Sequence, residues 1–202
     1  MDNICEISDS RSYFEELQRV AINLPHETIH RIADELLKAC DSGRRVYLFG
    51  NGGSASLASH FACDLGKGTA YLNGGKRFRV LALTDNIPVI TAWANDASYE
   101  DIFSEQLKSF VQPGDIAFAI SGSGNSKNVL KALAVAREAG ALAIGISGFQ
   151  GGKMKSLCDL CVVVPSSNMQ VIEDLHVAMA HSIFRIVSAQ MSSRPLAEAC
   201  TA

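Results

Sequence analysis

The sequence predicts an α/β protein built on a five-stranded parallel sheet, flanked by helices on both faces and preceded by two N-terminal helices. Three observations lead there. Short, almost wholly apolar runs recur: VYLFG (46–50), FRVLAL (78–83), IAFAI (116–120), ALAIGI (141–146) and LCVVVP (160–165). Unbroken apolarity, rather than strict alternation, marks a strand covered on both faces. Amphipathic segments lie between and around these runs, near 54–67, 87–96, 99–110, 126–139 and 151–157, with a long one over about 169–190. Strand and helix in alternation imply crossovers between parallel neighbours.

The elements follow in order. From Ser12 to about Ala39, apolar residues fall mostly at three- and four-residue steps: Phe14, Leu17, Val20 and Ile22, then Ile29, Ile32, Ala33, Leu36 and Leu37. That is the spacing of a helix with one buried face. Pro25 divides the stretch into two helices. Their apolar faces need cover, either from the helices of the sheet or from a second chain. Asp41-Ser42-Gly43 then leads into the first strand. No linker rich in Gly, Ser or Pro interrupts the rest, so 1–202 reads as a single domain. Helices occupy 1–43, an α/β core 44–191, and an aperiodic, frayed tail 192–202.

Composition narrows the function. With 48% hydrophobic and 19% charged residues, the chain has ordinary globular chemistry. A net charge of -3 lacks the clustered positive charge that nucleic-acid phosphates require, so no nucleic-acid partner is expected. The start, MDNICEISDS, has neither the basic nor the apolar region of a secretory signal. No run approaches bilayer length, and a cytoplasmic chain without a membrane partner is expected. Six cysteines (Cys5, Cys40, Cys63, Cys158, Cys161 and Cys200) show no disulfide-scaffold spacing. Cys158 and Cys161 form a CxxC. A structural zinc site would want a second pair and a redox motif a helix start, so they read as simple thiols at the entry to a strand.

In open parallel sheets, ligands bind at the carboxyl ends of the strands. Two such ends have the same form here: GNGGSAS (Gly50 to Ser56) and SGSGNS (Ser121 to Ser126). Glycine lets backbone approach a ligand, while serine and asparagine place hydroxyls and amides beside helix N-termini. Neither turn carries the lysine of a P-loop. The first also matches G-x-G-x-x-[GA], but the first acidic residue, Asp85, lies too far along for a dinucleotide fingerprint. The plain alternative is that small residues only seat or cap helices. Two hydroxyl-rich turns together favour a cradle for a sugar phosphate.

FGNGGSAS and AISGSGNS, with SHFACDL (59–65), AWANDASYED (92–101), SGFQGGKM (147–154) and IEDLHVAMAH (172–181), resemble the sugar isomerase (SIS) domain. Within it the likeness is to phosphoheptose isomerases, which convert sedoheptulose 7-phosphate to D-glycero-D-manno-heptose 7-phosphate. The resemblance runs from the leading helices to about residue 190. It implies a flavodoxin-like sheet, a homotetramer with active sites between subunits, and bound zinc. Carried over by position, Asn51, Gly52, Gly53 and Ser54 would hold the sugar. Ser121, Gly122, Ser123 and Ser126 would hold the phosphate, and Asp96 would contact sugar hydroxyls. The metal and acid-base group falls on His60, Asp64, Glu173 and His181. The chain departs from the family in having Asp64 for glutamate, Glu173 for glutamine, and only Lys67 near the position of a substrate-binding arginine by Gly68.

The same residues carry chemistry of their own. His60 and Asp64, at i and i+4, share one helix face and make half of a plausible zinc site. Glu173 and His181 are eight residues apart, about 12 Å along a helix. One ion cannot bridge them in a straight helix, so either a neighbouring chain supplies one ligand or the helix begins after Glu173. The plain alternatives are a His60–Asp64 surface pair and a helix start favoured by Glu173 and Asp174, a class that takes His176 too. Trp93 reads as a packing residue, and Thr84 and Asp85 either line the cleft or cap the next helix.

Aldose–ketose interconversion needs a base, an acid and a group that polarises a carbonyl. Asp64 takes the base role, His181 the acid role and zinc the polarising role, with Glu173 an alternative base. The leading function is an isomerase feeding nucleotide-activated heptose to surface polysaccharide. A non-catalytic SIS module that binds sugar phosphate and a protein, or an isomerase of another sugar phosphate, are the alternatives.

Overall fold

All five apolar runs become parallel strands in the computed structural model, which describes residues 9–73 and 76–193. They are β1 (Arg45–Gly50), β2 (Arg79–Ala82), β3 (Ile116–Ser121), β4 (Leu142–Ser147) and β5 (Leu160–Val163). Their order is β2-β1-β3-β4-β5. Leu48 of β1 is paired with Ala82 on one side and with Phe118 on the other.

Period-two geometry sends successive side chains to opposite faces. Val46, Leu48, Phe118, Ile120 and Ile144 join one core with α2 (His26–Asp41), α3 (Gly53–Cys63) and α9 (Met169–Ser192). Tyr47, Phe49, Ala117, Ala119 and Ala143 join another, with α6 (Ser104–Phe110) and α7 (Lys127–Glu138). Both faces are therefore apolar, and alanines on the second let α7 pack close to the sheet.

Of the two leading helices, the second buries its apolar face within the chain, whereas the first buries only Val20 and leaves Phe14 and Ile22 62% and 68% exposed. Asp9 caps α1 (Ser10–Ile22), accepting the Ser12 N–H at 2.9 Å, and Pro25 is the N-cap of α2. α1 lies against α9, where the Tyr13 hydroxyl donates to Asp174 at 2.5 Å. Burial and then Asp174 push the Tyr13 pKa up to about 12.

Four expectations need correction. FRVLAL is not covered on both faces: β2 is an edge strand, Leu81 is 46% exposed, and an open groove lies between Tyr47, Leu81 and Phe110. The helix expected over 54–67 runs on through a π-helical segment (Asp64–Gly68) into α4 (Thr69–Asn73). The 99–110 segment opens as a 3₁₀ turn (Tyr99–Asp101), because the Ser98 hydroxyl takes the Glu100 N–H, and α6 starts only at Ser104. α8 (Met154–Leu157) starts late because Gly151 and Gly152 adopt positive φ. α5 (Ile87–Asp96), though apolar, buries no residue, and Trp93 is 37% exposed. α9 continues to Ser192, while the remaining tail, with Cys200, and the opening residues, with Cys5, lie outside the described residues. Among the described residues, no helix is long and apolar enough to cross a membrane.

Phe118 is 1% exposed and meets Phe61 edge-on at 5.6 Å. Phe118→Ala should cost about 3–5 kcal/mol in urea unfolding, whereas Leu81→Ala should stay within about 0.5 kcal/mol. Equal losses would contradict this division between core and edge.

Candidate active site

The strand order reverses at β1, whose neighbours β2 and β3 lead away on opposite sides. In open α/β sheets, the crevice at such a switch point is where ligands bind. Gly50 pairs with Ile120, so the GNGGS and SGSGNS turns leave the sheet side by side. They are tied by two reciprocal amide hydrogen bonds, Asn51 Nδ2 to Asn128 Oδ1 and Asn128 Nδ2 to Asn51 Oδ1, each 2.9 Å. The Tyr99 hydroxyl also donates to Asn51 Oδ1 at 3.0 Å.

The first turn is open in front of α3. Gly52 is its N-cap in the left-handed region (φ 55°) with no side-chain cap, and Gly53 faces Glu173. A Cβ at Gly53 would lie 3.4 Å from Glu173 Oε1. Gly53, Ser54, Glu173 and His176 line a cavity of about 190 Å³.

The second turn is ringed by hydroxyls. Ser121 Oγ and Ser126 Oγ stand 3.4 Å apart, and Ser123 Oγ accepts the Asn125 N–H at 3.2 Å. Ser126 occupies the N-cap of α7, yet its side chain makes no capping bond. Gly122 lies under Met169 of α9, whose Sδ would be 2.6 Å from an added Cβ. Gly124 (φ 63°) sits on the SGFQGG turn, where a Cβ would come 2.1 Å from Gly151 O. Two bonds fasten it from below: Met154 N–H to Gly124 O at 2.9 Å, and Lys153 N–H to Asn125 Oδ1 at 3.1 Å. Ser121, Ser123 and Ser126 do not line the cavity of Ser54 and Glu173. The two turns meet through Asn51 and Asn128 instead.

A third group forms where α3 ends. His60 Nε2 and His181 Nε2 are 2.8 Å apart, and Asp64 Oδ2 lies 3.4 Å from the first and 3.9 Å from the second. Asp64 opens the π-helical segment, a backbone feature often found at functional sites. Its buried Oδ2 has no hydrogen-bond partner. These atoms fit a tetrahedral zinc ion: ligands at about 2.0–2.2 Å stand roughly 3.3 Å apart around it, a value the three separations straddle.

Glu173 does not belong to that group within one chain. α9 starts at Met169, so the helix does not begin after Glu173. α3 and α9 run side by side in the same direction: Glu173 meets the first turn of α3, and His181, eight residues on, meets its end. Of the four residues carried to the metal and acid-base group, three converge and the fourth stands beside the Gly53–Ser54 turn.

Other residues fall as follows. Asp96 ends α5 exposed, accepting from Asn95 Nδ2 at 2.8 Å. Lys67 lies 5.0 Å from the centroid of the Tyr71 ring. Thr84 and Asp85 hydrogen-bond Ser59 on α3, while Asn86 caps α5. His176 is buried rather than on the surface, 1% exposed, with no hydrogen-bond partner on either ring nitrogen. Sequence reading passed over Asn128 and Tyr99. The signal for Asn128 is an asparagine in the first turn of an amphipathic helix, on its buried side.

The SIS domain family model matches residues 11–148. The chain belongs to the SIS domain family. Within it, the chain is 38% identical to the probable phosphoheptose isomerase of Thermoplasma acidophilum, over 89% of this chain and 97% of that one. It is 41% identical to the phosphoheptose isomerase of Paramagnetospirillum magneticum, over 78% and 81%. The structure of a phosphoheptose isomerase from Neisseria gonorrhoeae superposes with a TM-score of 0.81 at 28% identity, covering 89% and 96% of the two chains. This SIS chain thus falls in the phosphoheptose isomerase branch.

Burial lowers the His176 pKa from 6.5 to about 4. As pH falls, the unfolded chain takes up this proton first, so stability is complete above pH 6.5 and lost progressively down to pH 4. The loss should reach about 3 kcal/mol and be absent from His176→Leu. Urea unfolding of both proteins across that range checks it; parallel pH profiles would refute it.

Proposed function

We propose that this SIS chain is an aldose–ketose isomerase converting sedoheptulose 7-phosphate to D-glycero-D-manno-heptose 7-phosphate in the cytoplasm, for surface-polysaccharide precursors. The convergence of His60, Asp64 and His181 carries the reading. A module that only bound sugar phosphate would need the serine turns but not this acid-base group.

Ser121, Ser123 and Ser126, with the backbone at Gly122, bind the phosphate. Asn51 and Ser54 orient the sugar over Gly52 and Gly53, and Asp96 contacts its hydroxyls. The Asn51–Asn128 pair fixes the Asn51 amide, and so the distance from phosphate to sugar. Asp64 removes the proton from C1 while His181 donates one to the C2 carbonyl oxygen, giving an enediol. Returning a proton to C2 and withdrawing the hydroxyl proton at O1 leaves the aldose, with no net change of protons. Zinc bound by His60, Asp64 and His181 would supply carbonyl polarisation.

Glu173 faces the sugar cradle and is the alternative base, or the ligand that a second copy brings to the metal group. A homotetramer with shared sites accounts for two observations: the separation of Glu173 from the triad, and apolar residues left open beside the crevice. Ile87, Trp93, Tyr99 and Val177 are all more than a third exposed. Asp64, Glu173 and Lys67 differ from the family pattern at the places that touch metal and substrate, and this favours, as second reading, an isomerase of a different sugar phosphate.

Purified protein incubated with sedoheptulose 7-phosphate, with and without chelator, should produce the aldose by NMR, more slowly in chelator. Asp64→Ala and His181→Ala should each lower kcat by about 10²–10⁴, while Ser123→Ala should chiefly raise KM. If metal-replete protein makes no aldose, the assignment fails.

A further inference from the structure

One pair of side chains singled out in the sequence has no part in the isomerase reading. Cys158 is the C-cap of α8 and Cys161 the second residue of β5, where its register partner is Gly145 of β4. A Cβ added to Gly145 would lie 2.7 Å from Cys158 Sγ and 3.5 Å from Cys161 Sγ. The two sulfurs therefore share the space left by one missing side chain. The neighbouring Cys158 thiol favours the thiolate at Cys161, with help from the Ser147 hydroxyl 4.0 Å away and from Lys155. The same proximity, and then burial, disfavours it at Cys158. Both thiols are half-buried, unlike buried Cys40 and exposed Cys63.

We propose that Cys158 and Cys161 are a reversible dithiol site that reacts with hydroperoxides and closes into an intrachain disulfide. The Cys161 thiolate attacks one peroxide oxygen and the O–O bond breaks. The departing oxygen takes up a proton as water or alcohol, and Cys161 is left as a sulfenic acid. Cys158 sulfur then attacks Cys161 sulfur and the S–O bond breaks. Water leaves with the Cys158 proton and the S–S bond remains. The cysteines lose two electrons and the peroxide gains two. A thiol reductant reverses the change.

The position gives the bridge a structural consequence. Lys153 and Met154, at the head of α8, hold the Ser121–Ser126 turn from below. Closing the disulfide fastens the far end of this four-residue helix to β5, and with it the support of the turn. The proposal does not rest on the isomerase reading, and its test needs no sugar.

Reduced full-length protein is treated with hydrogen peroxide, alkylated, and digested without reductant for mass spectrometry. The peptide holding both cysteines should be unalkylated and lighter by two hydrogens, and dithiothreitol should restore both alkylation sites. In Cys158→Ser the bridge cannot form, and Cys161 should be captured by dimedone as its sulfenic acid. Full alkylation of both thiols after peroxide, or sulfinic acid at either without a bridge, would overturn the proposal.

Discussion

Everything at the crevice depends on β1 having its neighbours in sequence on opposite sides. The crossover to β2 leaves in one direction and the later β3 returns on the other, so α3 after β1 and α7 after β3 pack on opposite faces of the sheet and part at the strand ends. Two turns that are about 70 residues apart in the chain become neighbours there. Once adjacent, they are locked by side-chain amides: a mutual Asn51–Asn128 pair satisfies both groups in a partly buried place, where an unpaired amide would cost about 1–3 kcal/mol.

The second constraint is the parallel pairing of α3 with α9. Two helices in the same direction, each rising about 1.5 Å per residue, keep equal separations along their lengths. What lies at the head of α3 therefore meets the head of α9, and what lies at its end meets residues eight positions later. This divides the polar residues into a couple at the head of α3, Ser54 with Glu173, and a trio at its end, His60 with Asp64 and His181. Two imidazoles and one carboxylate could hold a metal ion and would leave it a fourth position.

The serine turn needs support from outside its own strand. A side chain on Gly124 would strike Gly151, and one on Gly152 would strike Gly124, while the head of α8 supplies two hydrogen bonds to the turn. The Ser121–Ser126 contact and the bond from the Asn125 N–H to Ser123 join the turn only to itself. The bracing therefore comes from main chain of the next crossover, which couples that turn to the Cys158 and Cys161 thiols at the other end of α8.

Residue types and spacing in the sequence determined the five strands, their parallel sense and the two serine turns, because these follow from local apolarity and from the side chains themselves. They also put His60 and Asp64 on one helix face. Tertiary structure alone decided the rest. FRVLAL holds Arg79, the one charged residue in the five runs, but is otherwise as apolar as they are, and its half-exposed state depends on lying at the sheet edge. His176 looks like any polar residue on a helix until α9 turns it inward, and the reciprocal bonds of Asn128 need a partner 77 residues away. That His181 and not Glu173 meets His60 and Asp64 depends on α9 packing parallel to α3. Side-chain chemistry is written locally, whereas which groups meet is fixed only when distant segments are brought into register.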